Sequence, residues 1–351
     1  MAGMRTVPAW GAADPGARLA PMSIRRRDPR ADDVVVRIDF CGVCHSDVHT
    51  ARGEWEGVHH PVVPGHEIVG RVAEVGAAVS SVQVGDHVAV GTLVDSCGTC
   101  SACTAGEENY CPEQVGTFDF PSTDDASAYT FGGYSREIVV RERFVLALPG
   151  GLDPAAAAPL LCAGATVYSP MRHWRVGAGS HLGVVGLGGL GGTAVRIAKA
   201  LGAEVTVLSR TPAKEQDALR AGADRFVLST DPDAMAAVAD SMSLILSTVP
   251  RSHDLNPYLQ LLRRDGTYVV LGAMEPLTTP VLGSTLAVRR VNIGGSLIAG
   301  LPETRELLEL CAREGVAPDV RVVPVDRVND AHDRVALGDP AFRYVLDLRS
   351  L

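Results

Sequence analysis

The sequence predicts an α/β chain of two parts, one β-rich and barrel-like, the other a doubly wound parallel sheet with helices on both faces. Three observations predict it. Residues up to about 150 read as short strands separated by Gly-containing turns. From about residue 180 onward strands alternate with helices, which implies parallel β-α-β units. Between the first strand and the first helix of that alternation stands "GLGGLG", Gly186 to Gly191.

In the β-rich part, "DVVVRIDFCG" sets Val34, Val36, Ile38 and Phe40 against Val35, Arg37 and Asp39, the period of a half-buried strand. "IVGRVAEVG" and "VGDHVAVGTLV" follow, with Gly70, Gly76, Gly85 and Asp86 as turn residues. Pro149, Gly150 and Gly151 mark a break, and Asp153 before Pro154 is expected to cap a helix. Further on, Val184 and Val185 sit in a short apolar strand. Leu190, Ala194, Ile197, Ala198 and Leu201 then recur at helical spacing, closed by Gly202. "EVTVLS" is the next strand, "PAKEQDALRAGA" a helix ending at Gly222, and "RFVLS", "SLILSTV" and "TYVVLGA" are further strands. Beyond about residue 290 the rhythm breaks. "RVNIGGSL", a helix from about Glu303 to Glu314 and a strand "RYVLDL" are expected to return to the first part.

Composition narrows the function. The 351 residues are 46% hydrophobic and 21% charged, an ordinary balance for a water-soluble chain long enough for two domains. The formal net charge of -9 argues against a nucleic-acid partner, and "IRRRDPR" (Ile24 to Arg30) reads as a solvated cluster before a strand. The N-terminal residues carry no apolar run of signal-peptide length, and no later run approaches the ~18 apolar residues of a membrane span. A cytoplasmic location is expected. Thiols stay reduced there, and clustered cysteines bind metal more often than each other.

"CGTCSACTAGEENYC" places Cys97, Cys100, Cys103 and Cys111 at the spacing C-x2-C-x2-C-x7-C. Two-residue gaps let a tight turn aim successive sulfurs at one point, and four thiolates match tetrahedral zinc. Such a site has no open position, so its expected role is structural. An iron–sulfur cluster, a disulfide pair or a redox switch are the competing readings.

A second group of metal-ligand types is scattered. "CGVCHSDVH" holds Cys44, His45, Ser46, Asp47 and His49, "PGHEIVG" holds His66 and Glu67, and "PLLCAG" holds Cys162. Two cysteines and a histidine from three segments make a catalytic zinc set with a vacant fourth position. Taken singly, Cys162 reads as a small core residue and His66 as a loop histidine.

The hexamer follows a strand and opens a helix, the context a dinucleotide fingerprint requires. Gly186 would make the tight turn, Gly188 would let backbone approach the pyrophosphate, and Gly191 would allow close helix packing, with Gly189 and Leu190 between them at the helix N-terminus. The next strand would end in Asp or Glu if the ribose 2'-hydroxyl of NAD were read. It ends instead in "LSRTPAK": Ser209 stands in the acid's place, with Arg210 and Lys214 following. A hydroxyl and two cations attract a 2'-phosphate, so NADP is the expected cofactor.

The motifs "CGVCHSDVH", "HPVVPGHEIVG", "VGDHVAVG", the four-cysteine lobe, "APLLCAGATVYSP", "GLGGLG" and "NIGGS" span nearly the whole chain. Together they resemble the zinc-dependent medium-chain alcohol dehydrogenases, in the cinnamyl-alcohol-dehydrogenase-like branch of NADPH-dependent aldehyde reductases. The resemblance implies a GroES-like catalytic domain at residues 1–150 and 291–351, with a structural zinc lobe at 95–112. A Rossmann NADP-binding domain at 151–290 interrupts it. It implies two zinc ions per chain, a homodimer, and a small-molecule alcohol or aldehyde as substrate. By that match Cys44, His66 and Cys162 bind the catalytic zinc, with Glu67 beside it as an exchangeable ligand. Cys97, Cys100, Cys103 and Cys111 bind the structural zinc. Asp47 would orient the zinc ligands. Ser46 would touch the substrate oxygen and start a proton relay to His49, and His45 would lie near the pyrophosphate. Thr166, Ser247, Thr248 and Val249 would line the nicotinamide, and Arg343 would reach the phosphates.

The implied reaction is reversible reduction of an aldehyde to a primary alcohol, with apolar or aromatic substrates expected. Some relatives reduce activated C=C or C=N bonds on the same frame, often without the relay, but both Ser46 and His49 are present here. A non-enzymatic NADP or redox sensor is a further alternative, disfavoured by the full set of ligand types. Gly192 stands where relatives often carry His, and "QVGTFDFPSTDDASAYTFGGYS" does not align simply, so the substrate pocket does not transfer. Trp55, Leu93 and Phe118 are candidate pocket residues.

Overall fold

The computed structural model describes residues 4–122, 128–272, 275–338 and 342–351. Residues 123–127 of the segment without a simple alignment lie outside them. The chain divides into two compact units. One comprises Met1–Cys162, Gly300–Gly315 and Asp319–Leu351, the other Ala163–Ala299 with Val316–Pro318.

The first unit is built on a seven-stranded sheet. Its path runs through Val320–Pro324, Arg343–Asp347, Asp33–Gly42, Ile68–Val75, His87–Val90 and Leu146–Ala147, and Glu137–Arg141 pairs with Asp33–Gly42 beside that path. Pairing is antiparallel except between Val320–Pro324 and Arg343–Asp347. The strand Asp33–Gly42 corrects the alternation read from its sequence. Val34, Val35 and Val36 are all fully buried. Residues 34–37 pair with strands on both edges, and the Ala-rich helix Pro154–Ala157 with the turn Ala158–Leu161 packs on this strand. That packing also explains why this unit extends to Cys162 rather than stopping at the Pro149–Gly151 break. The helix is capped as expected: the Ala156 amide donates to Asp153 Oδ1 at 2.9 Å, with Pro154 in the first turn.

The helix Val328–Ala336, packed on the helix His45–Arg52, carries His332, which is 5% exposed and lies 3.3 Å from the Tyr134 hydroxyl through Nε2. Burial pushes this imidazole down to about 4, from an ordinary 6.5. The neutral form is therefore the folded one. Its contribution to stability is complete above about pH 6.5 and is lost as pH falls toward 4, because the unfolded chain takes up the proton first. Acidification from about pH 7.5 to about pH 5 should remove about 2 kcal/mol through this residue. Urea unfolding midpoints of wild type and His332→Gln at both pH values check it. The variant should lose less on acidification, and equal losses refute the assignment.

The second unit holds a six-stranded sheet in the spatial order Arg225–Leu228, Glu204–Ser209, His181–Val185, Met242–Ser247, Leu262–Val270, Asn292–Gly295. Every neighbouring pair is parallel. Numbered along the chain this is 3-2-1-4-5-6, the doubly wound dinucleotide-binding order, with its switch point beside the strand 181–185. The helix Gly189–Ala200 buries Ala194, Ile197 and Ala198, and the helix Glu215–Ala221 ends at Gly222 with φ 105°. One expectation is corrected here. "RVNIGGSL" does not rejoin the β-rich unit, because Asn292–Gly295 pairs in parallel with Leu262–Val270 as the sixth strand. The return begins at Gly300, followed by the helix Leu301–Glu314 and the strand Arg343–Asp347.

Candidate active site and metal centres

The helix His45–Arg52 begins at Cys44, and Asp47 closes its first turn by accepting the Cys44 amide at 2.8 Å. Asp47 has no exposed surface, and its other oxygen accepts from the Gly65 amide at 2.8 Å and from His66 Nδ1 at 3.0 Å. One carboxylate thus joins the two segments that carry Cys44 and His66. With Nδ1 engaged, the ring presents Nε2 as its free donor, the arrangement in which histidine ligates zinc. Gly65 has φ 107°, and a Cβ there would press on Tyr134, so the tight "PGHE" turn needs glycine.

Cys162 follows the turn Ala158–Leu161 and brings its Sγ to 4.0 Å from that of Cys44. Two sulfurs on a common tetrahedral zinc lie about 3.8 Å apart. One donor atom each from Cys44, His66, Glu67 and Cys162 falls within 4.8 Å of the others. Hydrogen bonding from Cys162, assisted by His66 and Arg343, draws Cys44 well below the ordinary thiol range, while the same bond and burial drive Cys162 up. Burial opposes protonation of His66, but the Asp47 carboxylate more than reverses this.

Glu67 is wholly buried, and burial raises it to about 7 against the pull of Arg343. Its Oε1 accepts from Arg343 Nη2 at 2.6 Å, while its Oε2 is buried without a protein partner. A buried carboxylate oxygen left open among two sulfurs and an imidazole is the donor chemistry a zinc ion completes. The pocket has room for this side chain only because residue 42 is glycine. A Cβ at Gly42 would lie 1.8 Å from Glu67 Oε2. Gly42→Ala should expel the carboxylate and cost about 1–3 kcal/mol of stability. Thermal unfolding of the purified variant measures the loss, and an unchanged midpoint contradicts the close approach.

Ser46 Oγ sits 3.8 Å from Cys44 Sγ. His49 lies one helical turn further and engages Glu54 through Nδ1 at 2.5 Å, with its ring stacked on Trp55 at 5.4 Å. Glu54 was not legible as a partner. It reaches back because Gly53 ends the helix with φ 66°, and the Glu54 amide bonds the His49 carbonyl. Neighbouring aromatic surface comes from Phe118, 5.5 Å from the His66 ring, whereas Leu93 is buried and Trp55 exposed. His45 is half-buried, and burial lowers its basicity.

In the four-cysteine lobe, one sulfur from each of Cys97, Cys100, Cys103 and Cys111 lies within 4.8 Å of the rest. Cys97 Sγ lies 3.5 Å from Cys111 Sγ and 3.9 Å from Cys103 Sγ, far beyond a disulfide bond, and all four thiols are free. Backbone amides of Thr99 and Cys100 lower Cys97 to about 6, while burial lifts Cys111 to about 11. N–H donors aimed at the sulfurs favour thiolates and hence metal.

In the second unit the hexamer forms a tight turn that opens the helix Gly189–Ala200. Gly186 has φ 90°; a Cβ on Gly191 would lie 2.2 Å from the Gly186 carbonyl; a Cβ on Gly188, the helix N-cap, would meet nothing within 4 Å. Backbone there is open to a ligand. Thr248 donates its hydroxyl to the Val185 carbonyl at 2.9 Å, pinning the strand that enters the loop. Ser247 ends its strand buried, Val249 follows it, and Thr166 is half-buried on the helix Ala163–His173. Ser209 ends the strand 204–209 and accepts from the Thr211 amide at 3.2 Å; Arg210 is exposed and Lys214 half-buried.

A Cys2His donor set in a β-rich unit, joined in one chain to a doubly wound dinucleotide-binding sheet, defines the class of zinc-dependent, nicotinamide-linked dehydrogenases. Residues 30–150 match the alcohol dehydrogenase GroES-like domain, and residues 189–313 match the zinc-binding dehydrogenase domain. Aldehyde reductase YahK of Escherichia coli is 46% identical over 350 residues, covering 99% of both chains. NADP-dependent alcohol dehydrogenase C 1 of Mycolicibacterium smegmatis is 46% identical over 351 residues, again covering 99% of each. Among solved structures, a cinnamyl alcohol dehydrogenase of Sorghum bicolor superposes with a TM-score of 0.93 at 41% identity, covering 98% of both chains. The chain belongs to the zinc-binding alcohol dehydrogenase family, and it is an oxidoreductase with that family's GroES-like and Rossmann-type domains. Among the described residues no helix is long and apolar enough to cross a membrane.

Proposed function

We propose that this enzyme interconverts aldehydes and primary alcohols, with NADP(H) as hydride carrier and apolar or aromatic substrates. The convergence of Cys44, His66 and Cys162 beside an unpartnered Glu67 oxygen carries the reading. These residues would hold a zinc ion, and the four cysteines of the lobe a second, structural one. When bound, the first zinc supplies a Lewis acid for the substrate oxygen. NADPH, when bound, supplies the hydride.

The chain's own groups do the rest. Asp47 fixes the His66 ring and the Cys44 turn. Arg343 holds Glu67 at the pocket edge. The Ser46 hydroxyl is placed beside Cys44 to bond a substrate oxygen and to pass its proton. His49 is the terminal acid and base of that route, its ring held by Glu54 through Nδ1. The Gly188 backbone and the helix N-terminus behind it take the pyrophosphate, and Ser209, Arg210 and Lys214 take the 2'-phosphate.

Among the described residues the edge strand Asn292–Gly295 pairs on one side only, which supports a homodimer, and eight thiols outside any disulfide support a cytoplasmic location. The test is a panel of aliphatic, aromatic and terpenoid aldehydes with NADPH and with NADH, followed by loss of reduced-nicotinamide absorbance. Turnover of aromatic aldehydes with NADPH is expected. Activity confined to C=C or C=N substrates overturns the assignment.

A further inference from the structure

Glu108 lies in the short turn Glu108–Tyr110 that leads into Cys111, and it is 4% exposed. A buried carboxylate needs partners, and its two oxygens point to different places. Oε1 accepts from Arg143 Nη2 at 2.9 Å. Oε2 accepts from the Leu301 backbone amide at 3.0 Å, 193 positions along the chain. Leu301 is the first residue of the helix Leu301–Glu314, and the N-cap of that helix is Gly300, which has no side chain to cap it. Glu108 thus does from the lobe what an N-cap side chain does locally, and its charge suits the positive end of the helix.

The backbones are fitted to that contact. A Cβ on Gly300 would lie 1.8 Å from the Gly106 carbonyl and 3.0 Å from Glu108 Oε2, and one on Gly106 would lie 2.7 Å from Pro302. Arg143 closes the arrangement from the other side. Its guanidinium donates to Glu108 and packs against Gly98, the residue after Cys97. A four-thiolate zinc site carries net negative charge, and this cation stands between it and the Glu108 carboxylate.

We infer that Glu108 is a positioning residue that clamps the four-cysteine lobe onto the start of helix 301–314, so that metal retention in the lobe and order in the first turn of that helix are coupled. Arg143 is the shared counter-ion. This rests on the lobe holding zinc. Gly300 is where the chain re-enters the first unit, so the clamp fixes the first turn of the returning segment.

Hydrogen–deuterium exchange on full-length holoprotein tests the helix side, and zinc release to a chromogenic chelator tests the metal side. Glu108→Ala should speed exchange of the Leu301 amide at least about tenfold, with the strand 343–347 unchanged. The same variant should release lobe zinc about tenfold faster, the size of effect seen when groups that support metal ligands are removed. Glu108→Gln, which keeps an acceptor for Leu301 but not the charge, serves if the alanine variant does not fold. It should retain helix protection yet still lose zinc faster. Unchanged exchange in Glu108→Ala overturns the clamp, and unchanged zinc release in both variants overturns the coupling. A wild type that binds no metal at Cys97, Cys100, Cys103 and Cys111 overturns the zinc reading itself, a result visible before any variant is made.

Discussion

Cys44→Ala is expected to lower the zinc content of the purified protein from about two ions per chain to about one and to reduce aldehyde turnover at least about a thousandfold. A thousandfold corresponds to about 4 kcal/mol of transition-state stabilisation, within reach of a single Lewis acid. The substitution keeps the Cys44 amide that donates to Asp47. The helix start survives, and Sγ alone is lost. Metal analysis and steady-state kinetics on the same preparation measure both effects. Wild type with one zinc, and a variant with the same count, would remove the catalytic assignment. Cys103→Ala separates the sites: it should lose the other ion and loosen the lobe while leaving Cys44, His66 and Cys162 in register.

Ser209→Asp is expected to reverse cofactor choice. The strand 204–209 delivers this side chain to the place where an acid reads the ribose of NAD. A carboxylate there repels a 2'-phosphate and accepts from a free 2'-hydroxyl. The ratio of kcat/KM for NADPH over NADH should fall by about 100-fold, equivalent to about 3 kcal/mol. Arg210→Ala should lower the same ratio by less, since an exposed charge contributes little. An unchanged ratio in Ser209→Asp means the 2'-phosphate is held elsewhere.

Much of this architecture is written in short-range pattern. The alternation of apolar strand and amphipathic helix, with "GLGGLG" at its first turn, predicts the doubly wound sheet, because each unit needs only its own periodicity and caps. The four-cysteine spacing is equally local. What the sequence hid depends on distant partners. Asn292–Gly295 is a short Asn-Ile-Gly-Gly edge strand with three of its four residues exposed, so nothing local marks it as part of a parallel sheet; Leu262–Val270 recruits it. Val35 reads as an outward residue until strands on both edges and a helix cover it. Within the site, the motifs name Cys44, His66, Glu67 and Cys162. The contact between Arg343 and Glu67 spans 276 positions and has no sequence signature. Glu54 was missed because its approach to His49 depends on the left-handed Gly53 turn.

The triple grip of Asp47, on the Cys44 amide, the Gly65 amide and the His66 ring, bears on how each ion enters. That pocket is stitched by hydrogen bonds between chain segments, so a cation arriving late meets ligands already aimed. The lobe has little apolar filling and gathers its sulfurs from one loop, so its chelation and its folding are a single event. Refolding with metal withheld should therefore give a chain able to charge one socket quickly on zinc addition and the other only as fast as the loop itself can close.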